Sequence, residues 1–368
     1  MSALTRCDVV FDMETQDPDD YLTLLLLLGH PMVNLKGVTI MPGSPVQVGL
    51  VRRTLDAFDK AHVPVGAYNL DHPKACLSPW HERAYGAVTL LSRDAEPAGA
   101  LLAELCDANT TLLTGAPIKN LGEAMKFAHF HVGRWVAQGG FAGEGVVPKH
   151  LQLPKFAGKR TCATFNLNGA PKVALSALED DVRFGERLFV SKNVCHGVVY
   201  DAAFHALVGS VMRGHQSLEW IYKGMEHYLS KRSGAGWARG GKEAPQLQGG
   251  DRVRLLDMEG KSLGVMSWSK AEELAQKQQR ELFCMKGAFE PPLYRMLHDT
   301  AANPREGKKL HDPLAACCAI CPEIGTWVKV DLLRERGEWG ARPNPESKTS
   351  IIIDYDEARF KEVFTMSA

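Results

Sequence analysis

Five carboxylates crowd into nine residues near the start of the chain: Asp12, Glu14, Asp17, Asp19 and Asp20, in VVFDMETQDPDD. Like charges this close repel one another unless protons or a cation neutralise them. Oxygen-only ligands in such number suit a hard cation such as calcium, which takes roughly six to eight of them. An isolated acidic turn reads as solvated surface. Here an apolar run precedes the turn and YLTLLLLLG follows it, so the turn is pinned between buried-type segments. A second chemical signal lies far downstream in KKLHDPLAACCAICPEI, where His311 and Asp312 stand directly before an apolar helix. Taken alone, His-Asp-Pro also reads as an ordinary helix start with proline in its first turn.

The elements that must hold these residues follow from periodicity. Residues 9–11 are a short β-type run, and residues 20–28 read as a buried helix. A second strand is expected over 35–41, a helix over 46–61, and a short strand in VPVGA. Residues 101–108 read as helix, TTLLTGAP as a strand entering a turn, 120–131 as helix, and RWVAQGG as a strand. This alternation predicts an α/β fold, a mostly parallel central sheet with helices on both faces. Ligands of such sheets bind at the carboxyl ends of strands, where the acidic turn lies. Residues 233–260, rich in Gly, Arg, Lys and Gln, read as an excursion within one domain spanning 1–368. An inserted lid or subdomain is expected near 231–300, with a hairpin in VRLLDMEGKSLGV and a helix over 269–282. WVKVDLLRERG and TSIIIDYDEARFKEVF predict a closing strand pair and helix.

Bulk properties narrow the function classes. The chain has 368 residues, 45% hydrophobic, with equal acidic and basic counts and a formal net charge of zero. That balance points to no nucleic-acid or membrane partner. The longest apolar run is too short to cross a bilayer, and no secretory segment is read at the N-terminus. The expectation is a soluble, cytoplasmic protein. Nine scattered cysteines favour reduced thiols. CCAIC is read as small core residues on a helix rather than a metal site.

Together the two signals resemble the nucleoside hydrolase family, the inosine-uridine preferring nucleoside N-ribohydrolases. That family opens with a strand and D-x-D-P-G-x-D-D and ends its catalytic set with H-D-P-L-A. Between them, GVTIMPGSP, TLLTGAPIKNLGEAM, VAQGGFAGEG and TFNLNGAPKVALSAL resemble the family's intermediate motifs in the same order. The resemblance implies a Rossmann-related fold, a Ca2+ ion, a small nucleoside-like substrate, a homodimer or homotetramer, and hydrolysis of an N-glycosidic bond in purine or pyrimidine salvage. It assigns Asp12, Glu14, Asp20, Asp312 and the backbone carbonyl of Thr114 to the metal. Glu14 also takes the proton of the attacking water, and Asp19 holds ribose hydroxyls and belongs to the catalytic set with Glu14 and His311. His311 stands beside the leaving base as proton donor, Asn166 binds sugar, and His81 lies on a loop near the base. The transition state of such a reaction resembles an oxocarbenium ion, which nearby anions stabilise.

The chain departs from the family pattern in four places. The first loop is one residue longer, so Asp17 rivals Glu14 for the metal and water. Ser44 replaces an asparagine, keeping a hydrogen-bonding group for substrate. Thr164 replaces a glutamate that grips the outer ribose hydroxyls, which removes repulsion against a 5-phosphate. An insertion over 146–160 carries Lys149, His150, Lys155, Lys159 and Arg160. It reads either as a sign of a modified or 5-substituted riboside or as a solvated loop. Trp237, Arg239 and Arg252 are candidates to contact a base, and His196 is read as structural. Two other functions stand beside the hydrolase: a relative of the same fold acting on another glycoside, and a non-catalytic protein that binds calcium and a ligand.

Overall fold

The structure is a computed structural model; it describes residues 6–86, 91–233, 248–256, 262–277, 280–284, 293–298 and 307–366. Contacts divide the chain into two compact units, one of Met1–Met225 with Lys308–Ala368 and one of Glu226–Gly307.

The first unit is built on an eleven-stranded sheet. Strand β1 (Cys7–Met13) owes its place to Val9, Val10 and Phe11, which are fully buried. It pairs in parallel with β2 (Val33–Ile40) on one side. Further out on that side lie β3 (Val65–Ala67) and β4 (Glu96–Pro97). On its other side β1 pairs in parallel with β5 (Thr110–Thr114). Then come β6 (Val132–Gln138) and β8 (Phe184–Val190), the latter after a two-residue strand β7 (Thr161–Cys162) that pairs elsewhere. The sheet continues through Thr349–Tyr355, parallel to β8. It closes with the antiparallel strands Gly325–Glu335 and Glu338–Pro343, the last of which takes up β7. The chain order thus reverses at β1, with its sequence neighbour β2 to one side and the distant β5 to the other. That reversal opens a crevice at the strands' carboxyl ends.

The predicted α/β architecture with a mostly parallel sheet is the one observed. Helix α1 (Pro18–Gly29) is buried almost throughout, with Asp17 as N-cap and Pro18 at its first position. It packs against the helix His311–Ile320. Burial on every side is what an unbroken apolar run such as LTLLLLL requires. The core beneath the sheet's other half gathers Trp135, Trp339, Phe184 and Phe189. The eight cysteines described as free thiols include Cys317 and Cys318, both buried in the helix His311–Ile320.

Two helix expectations are corrected. The helix read over 120–131 stops early, spanning Lys119–Ala124. The chain then turns so that Phe130 packs in the core against Phe184. The helix read over 269–282 is Trp268–Lys277, and Arg280–Cys284 is a strand. Pairing with Leu293–His298 overrides the local helical pattern there.

In the second unit, the hairpin expected in VRLLDMEGKSLGV is present as Arg252–Leu256 against Ser262–Ser267. Those two join Leu293–His298 and Arg280–Cys284 in a four-stranded sheet. Val253, Leu255 and Ala271 form its small core. Trp237 and Arg239 lie outside the described residues, and Arg252 is exposed on the hairpin.

Candidate active site

The acidic turn joins β1 to α1 at the crevice. Asp12, near the end of β1, lies opposite Thr39 of β2 and Thr114 of β5. Its carboxylate is buried: Oδ1 accepts from Thr39 Oγ1 and Asn120 Nδ2, both at 2.7 Å. Oδ2 is buried with no partner among the described residues. The start of α1 then aims Asp19 and Asp20 inward from its first turn. Asp20 Oδ1 accepts from the backbone N–H of Glu14 at 3.0 Å. Asp19 Oδ2 accepts from the backbone N–H groups of His311 at 3.0 Å and Asp312 at 3.3 Å. One carboxylate of the amino-terminal motif therefore seats the start of the helix carrying the downstream one.

Carboxylate oxygens of Asp19, Asp20 and Asp312 come within 4.8 Å of one another, all three residues buried. Asp312 Oδ1 is a second buried oxygen with no partner among the described residues. Gly115, which follows Thr114, lies so close that a Cβ there would meet Asp312 Cγ at 2.9 Å and its two oxygens at 3.0 and 3.1 Å. The end of β5 thus abuts the Asp312 carboxylate. Of the residues the sequence assigned to a metal, Asp20 and Asp312 belong to this group and Thr114 lies at its edge. Asp12 and Glu14 stand outside it, while Asp19, assigned to sugar hydroxyls, stands within it.

Electrostatics show why the group wants a cation. Burial pushes Asp12 up to about 7 against its bonds to Asn120 and Thr39. Burial, then Asp17 and Asp19, pushes Glu14 up to about 7. Burial and then Asp19 raise Asp17 to about 6. Asp20 and Asp312 are raised well above the carboxylate range by burial and then by their acidic neighbours. Asp19 alone goes the other way. Burial would raise it, but Lys308 and its hydrogen bonds hold it below its ordinary value. The Lys308 ammonium is buried 2.7 Å from Asp17 Oδ1 and 3.2 Å from Asp19 Oδ1. With one lysine among six carboxylates, the remaining charge must be neutralised by protons or by a cation. An all-oxygen donor set, with Asp312 Oδ1 buried and unpartnered among the described residues, fits a hard divalent ion such as calcium.

His311 lies at the rim, its ring 4.5 Å from that of His196. The backbone of Cys195 accepts a hydrogen bond from the ring, and Nδ1 is buried with no partner among the described residues. Burial, then Lys308, lowers His311 to about 3, so the imidazole is neutral at pH 7. Lys155 from the insertion places Nζ 2.5 Å from His196 Nδ1. Partial burial, then Lys309, lowers this ammonium to about 8.

The remaining predicted residues are placed as follows. Ser44 caps the helix Pro45–Ala57 and donates to the Ala75 carbonyl at 2.8 Å, bracing the neighbouring loop. His81 lies on the helix Pro79–Tyr85, buried edge-on to Tyr21, with Nε2 3.1 Å from the Thr15 carbonyl oxygen. It supports the acidic turn from below. Asn166 donates from Nδ2 to the Gly115 carbonyl at 2.9 Å and to Gln138 Oε1 at 2.8 Å, tying β5 to β6. Thr164 is buried, its hydroxyl without a partner among the described residues. Thr114 Oγ1 accepts from Trp135 Nε1 at 3.0 Å. Sequence reasoning gave no part to Lys308, Lys309 or Asn120. The two adjacent lysines before LHDP were the available signal. His196, read as structural, packs directly on His311.

No protein-family model matches the chain, and no curated protein matches it significantly. Solved structures do. A plant nucleoside hydrolase is 14% identical, with a TM-score of 0.60, covering 98% of this chain and 99% of the other. A purine-preferring ribonucleoside hydrolase from Gardnerella vaginalis is 14% identical, with a TM-score of 0.57, covering 98% and 97%. An inosine-uridine preferring nucleoside hydrolase from Bacillus anthracis is 16% identical, with a TM-score of 0.55, covering 97% of each chain. Over nearly its whole length, the chain has the fold of these proteins.

Proposed function

We propose that this chain, built on the nucleoside hydrolase fold, is a divergent nucleoside N-ribohydrolase that cleaves the N-glycosidic bond of a ribonucleoside, modified or 5-substituted forms included. The observation that carries the reading is the meeting of Asp19 and Asp20 with Asp312 within 4.8 Å, at the point where the strand order reverses. Two segments almost 300 residues apart have no packing reason to bring three buried carboxylates together.

We assign the ion to calcium, held by Asp20 and Asp312 with Asp19 beside them, Thr114 and Asp12 bordering the site. When bound, such an ion lowers the pKa of a coordinated water and orients it. The chain's own groups do the rest. Glu14, half-buried at the mouth and already raised toward neutrality by burial, is suited to take a proton from water. Asp19 holds the helix start in place and presents charge toward ribose hydroxyls. The clustered anions favour the positive charge that develops at the anomeric carbon. Asn166 and Thr164 line the sugar side, and His311 the leaving-group side.

The test is calcium titration by calorimetry, followed by assay of purine and pyrimidine ribonucleosides for released reducing sugar. Calcium binding with sugar release, both lost in Asp312→Ala, is the expected result. Calcium binding without cleavage of any riboside would leave a ligand-binding protein and remove the enzymatic reading.

A further inference from the structure

Beside the acidic centre lies a second cluster of opposite sign. Lys155 comes from the turn Pro154–Phe156, inside the stretch that carries five basic residues. Its ammonium touches His196 Nδ1, and the Lys309 side chain stands within hydrogen-bonding range of it. Lys192 opens the short helix Lys192–Cys195 and donates to the Ala163 carbonyl at 2.8 Å. Burial and then His311 disfavour protonation of His196, Lys155, Lys192 and Lys309 lie close enough to add to that, and the His196 ring packs on His311. Lys126, Lys308 and Lys361 each meet a carboxylate. Among the described residues, none pairs with Lys155, Lys192 or Lys309. The Thr164 hydroxyl, next in the chain after Ala163, is buried and without a partner among them.

Three converging ammonium groups repel one another, and an anion placed among them would turn that repulsion into attraction. Lysine binds phosphate as a point charge, and several lysines suit a dianion. The carboxylates next door repel anions, whereas the lysines attract them. A ligand spanning both clusters must therefore be dipolar in layout, with neutral hydroxyls at the carboxylates and its negative charge at the lysines. A ribose meets this condition when its 2- and 3-hydroxyls and anomeric carbon face the carboxylates. Its C5 substituent then points away from them.

We propose that Lys155, Lys192 and Lys309, with His196, form an anion subsite for the 5-phosphate of the substrate, which makes the substrate a ribonucleoside 5-monophosphate. The inference rests on the hydrolase reading of the acidic centre. In the reaction, the C1–N bond breaks, the oxygen of water bonds to C1, and the base leaves with a proton from that water. The phosphate ester stays intact, so the products are free base and ribose 5-phosphate.

The experiment has a binding arm and a turnover arm. Calorimetry on the full chain compares ribose 5-phosphate with ribose and with inorganic phosphate. Turnover compares inosine with its 5-monophosphate, uridine with its 5-monophosphate, and orotidine, whose base carries the anion. The expected results are tighter binding of ribose 5-phosphate than of ribose and a preference of at least about tenfold for the 5-monophosphates. Lys155→Gln and Lys192→Gln, checked for folding by thermal melting, should each cut that preference by about tenfold, the effect of losing one charged hydrogen bond. Equal binding of ribose and ribose 5-phosphate would overturn the subsite. So would preference for the plain nucleosides or for orotidine, or a preference unmoved in both variants. If no riboside of any kind is cut, the hydrolase reading fails. The subsite then stands or falls on the binding arm alone.

Discussion

Asp19 and His311 are 292 residues apart in the chain and joined by one hydrogen bond: the carboxylate Oδ2 accepts the His311 backbone N–H at 3.0 Å. The same oxygen takes the N–H of Asp312, and Oδ1 faces the Lys308 ammonium. Asp19→Asn keeps an oxygen for the two N–H groups, whereas Asp19→Ala leaves both buried donors without this acceptor and takes one of two carboxylates, the other being Asp17, from Lys308. Asp19→Ala should therefore lose about 1–3 kcal/mol of stability in urea unfolding at neutral pH, and Asp19→Asn measurably less. Both should lose most riboside cleavage. Equal stability of the alanine variant and wild type would mean that this carboxylate does not tie the two ends together.

Removing charge from the centre should stabilise the metal-free protein. Asp312 is raised well above its ordinary value by burial and then by Asp19, Glu14 and Asp17, so neutral asparagine relieves a cost that the native residue bears. In chelator, Asp312→Asn should melt higher than wild type. Added calcium should reverse the order. Wild type should gain about 2.7 kcal/mol at a hundredfold excess over its dissociation constant, and the variant should gain little. A variant that melts lower than wild type in chelator would show that repulsion is not the dominant force at this position.

The same charges give the metal-free protein a distinctive pH dependence. Asp12 and Glu14 are raised to about 7 and Asp17 to about 6, burial being the first cause in each. Each holds its proton in the folded state where the unfolded carboxyl has lost it. Stability from these groups is thus fully present below about pH 4 and is lost as pH rises toward about 7. Asp19, lowered despite its burial, works the other way and partly offsets them. A bound cation favours the ionised forms and removes the loss. The gap in urea midpoint between calcium-loaded and chelated protein should widen steadily from about pH 5 to about pH 7.5. A gap that stays constant over that range would contradict the assigned burial of these carboxylates.

Much of the site's frame is legible in the sequence because it rests on short-range patterns. The Val-Val-Phe run gives β1, and the helix read over 20–28 is α1, whose start at Pro18 with Asp17 as cap lies two residues earlier than read. The unbroken leucines give a fully buried helix, and the β-α alternation gives the parallel sheet. What the sequence does not display is partnership across the sheet. Asn120 binding Asp12, Asn166 tying β5 to β6, and Ser44 capping a helix while holding Ala75 are all products of tertiary contact. His81 illustrates the limit. The family resemblance implies a loop residue, yet Ser78 and Pro79 start a helix that buries it against Tyr21. Lys308 was hidden for another reason. A lysine before an acidic motif reads as solvated, and only the fold buries its ammonium between Asp17 and Asp19.

Gly115 offers a steric test of the centre that leaves every charge in place. A methyl group there would press on the Asp312 carboxylate at 2.9–3.1 Å, contacts that must relax by moving that side chain. Gly115 has no left-handed backbone requirement, so alanine adds no backbone strain. Gly115→Ala should fold normally yet bind calcium at least about tenfold more weakly, a loss of about 1.4 kcal/mol that calorimetry resolves. Unchanged affinity would place the ion away from Asp312.

His311 provides the sharpest test of how the base departs. The sequence suggests a proton donor, since imidazole ordinarily titrates near neutrality. In the structure, burial and then Lys308 hold it at about 3, and its ring hydrogen bond goes to the Cys195 backbone, leaving Nδ1 as a bare acceptor. A neutral ring with its one N–H engaged is set to orient a leaving base rather than to hand it a proton. His311→Ala should therefore reduce kcat/KM by a similar factor, within about threefold, for a riboside with a good leaving group such as nitrophenol and for one with a poor leaving group such as uracil. The pH profile of kcat/KM should show no limb between about pH 5 and pH 7 that disappears in the variant, because a group titrating near 3 is already deprotonated there. A loss confined to the poor leaving group, with such a limb removed, would instead show that substrate binding restores the imidazolium and that His311 delivers the proton.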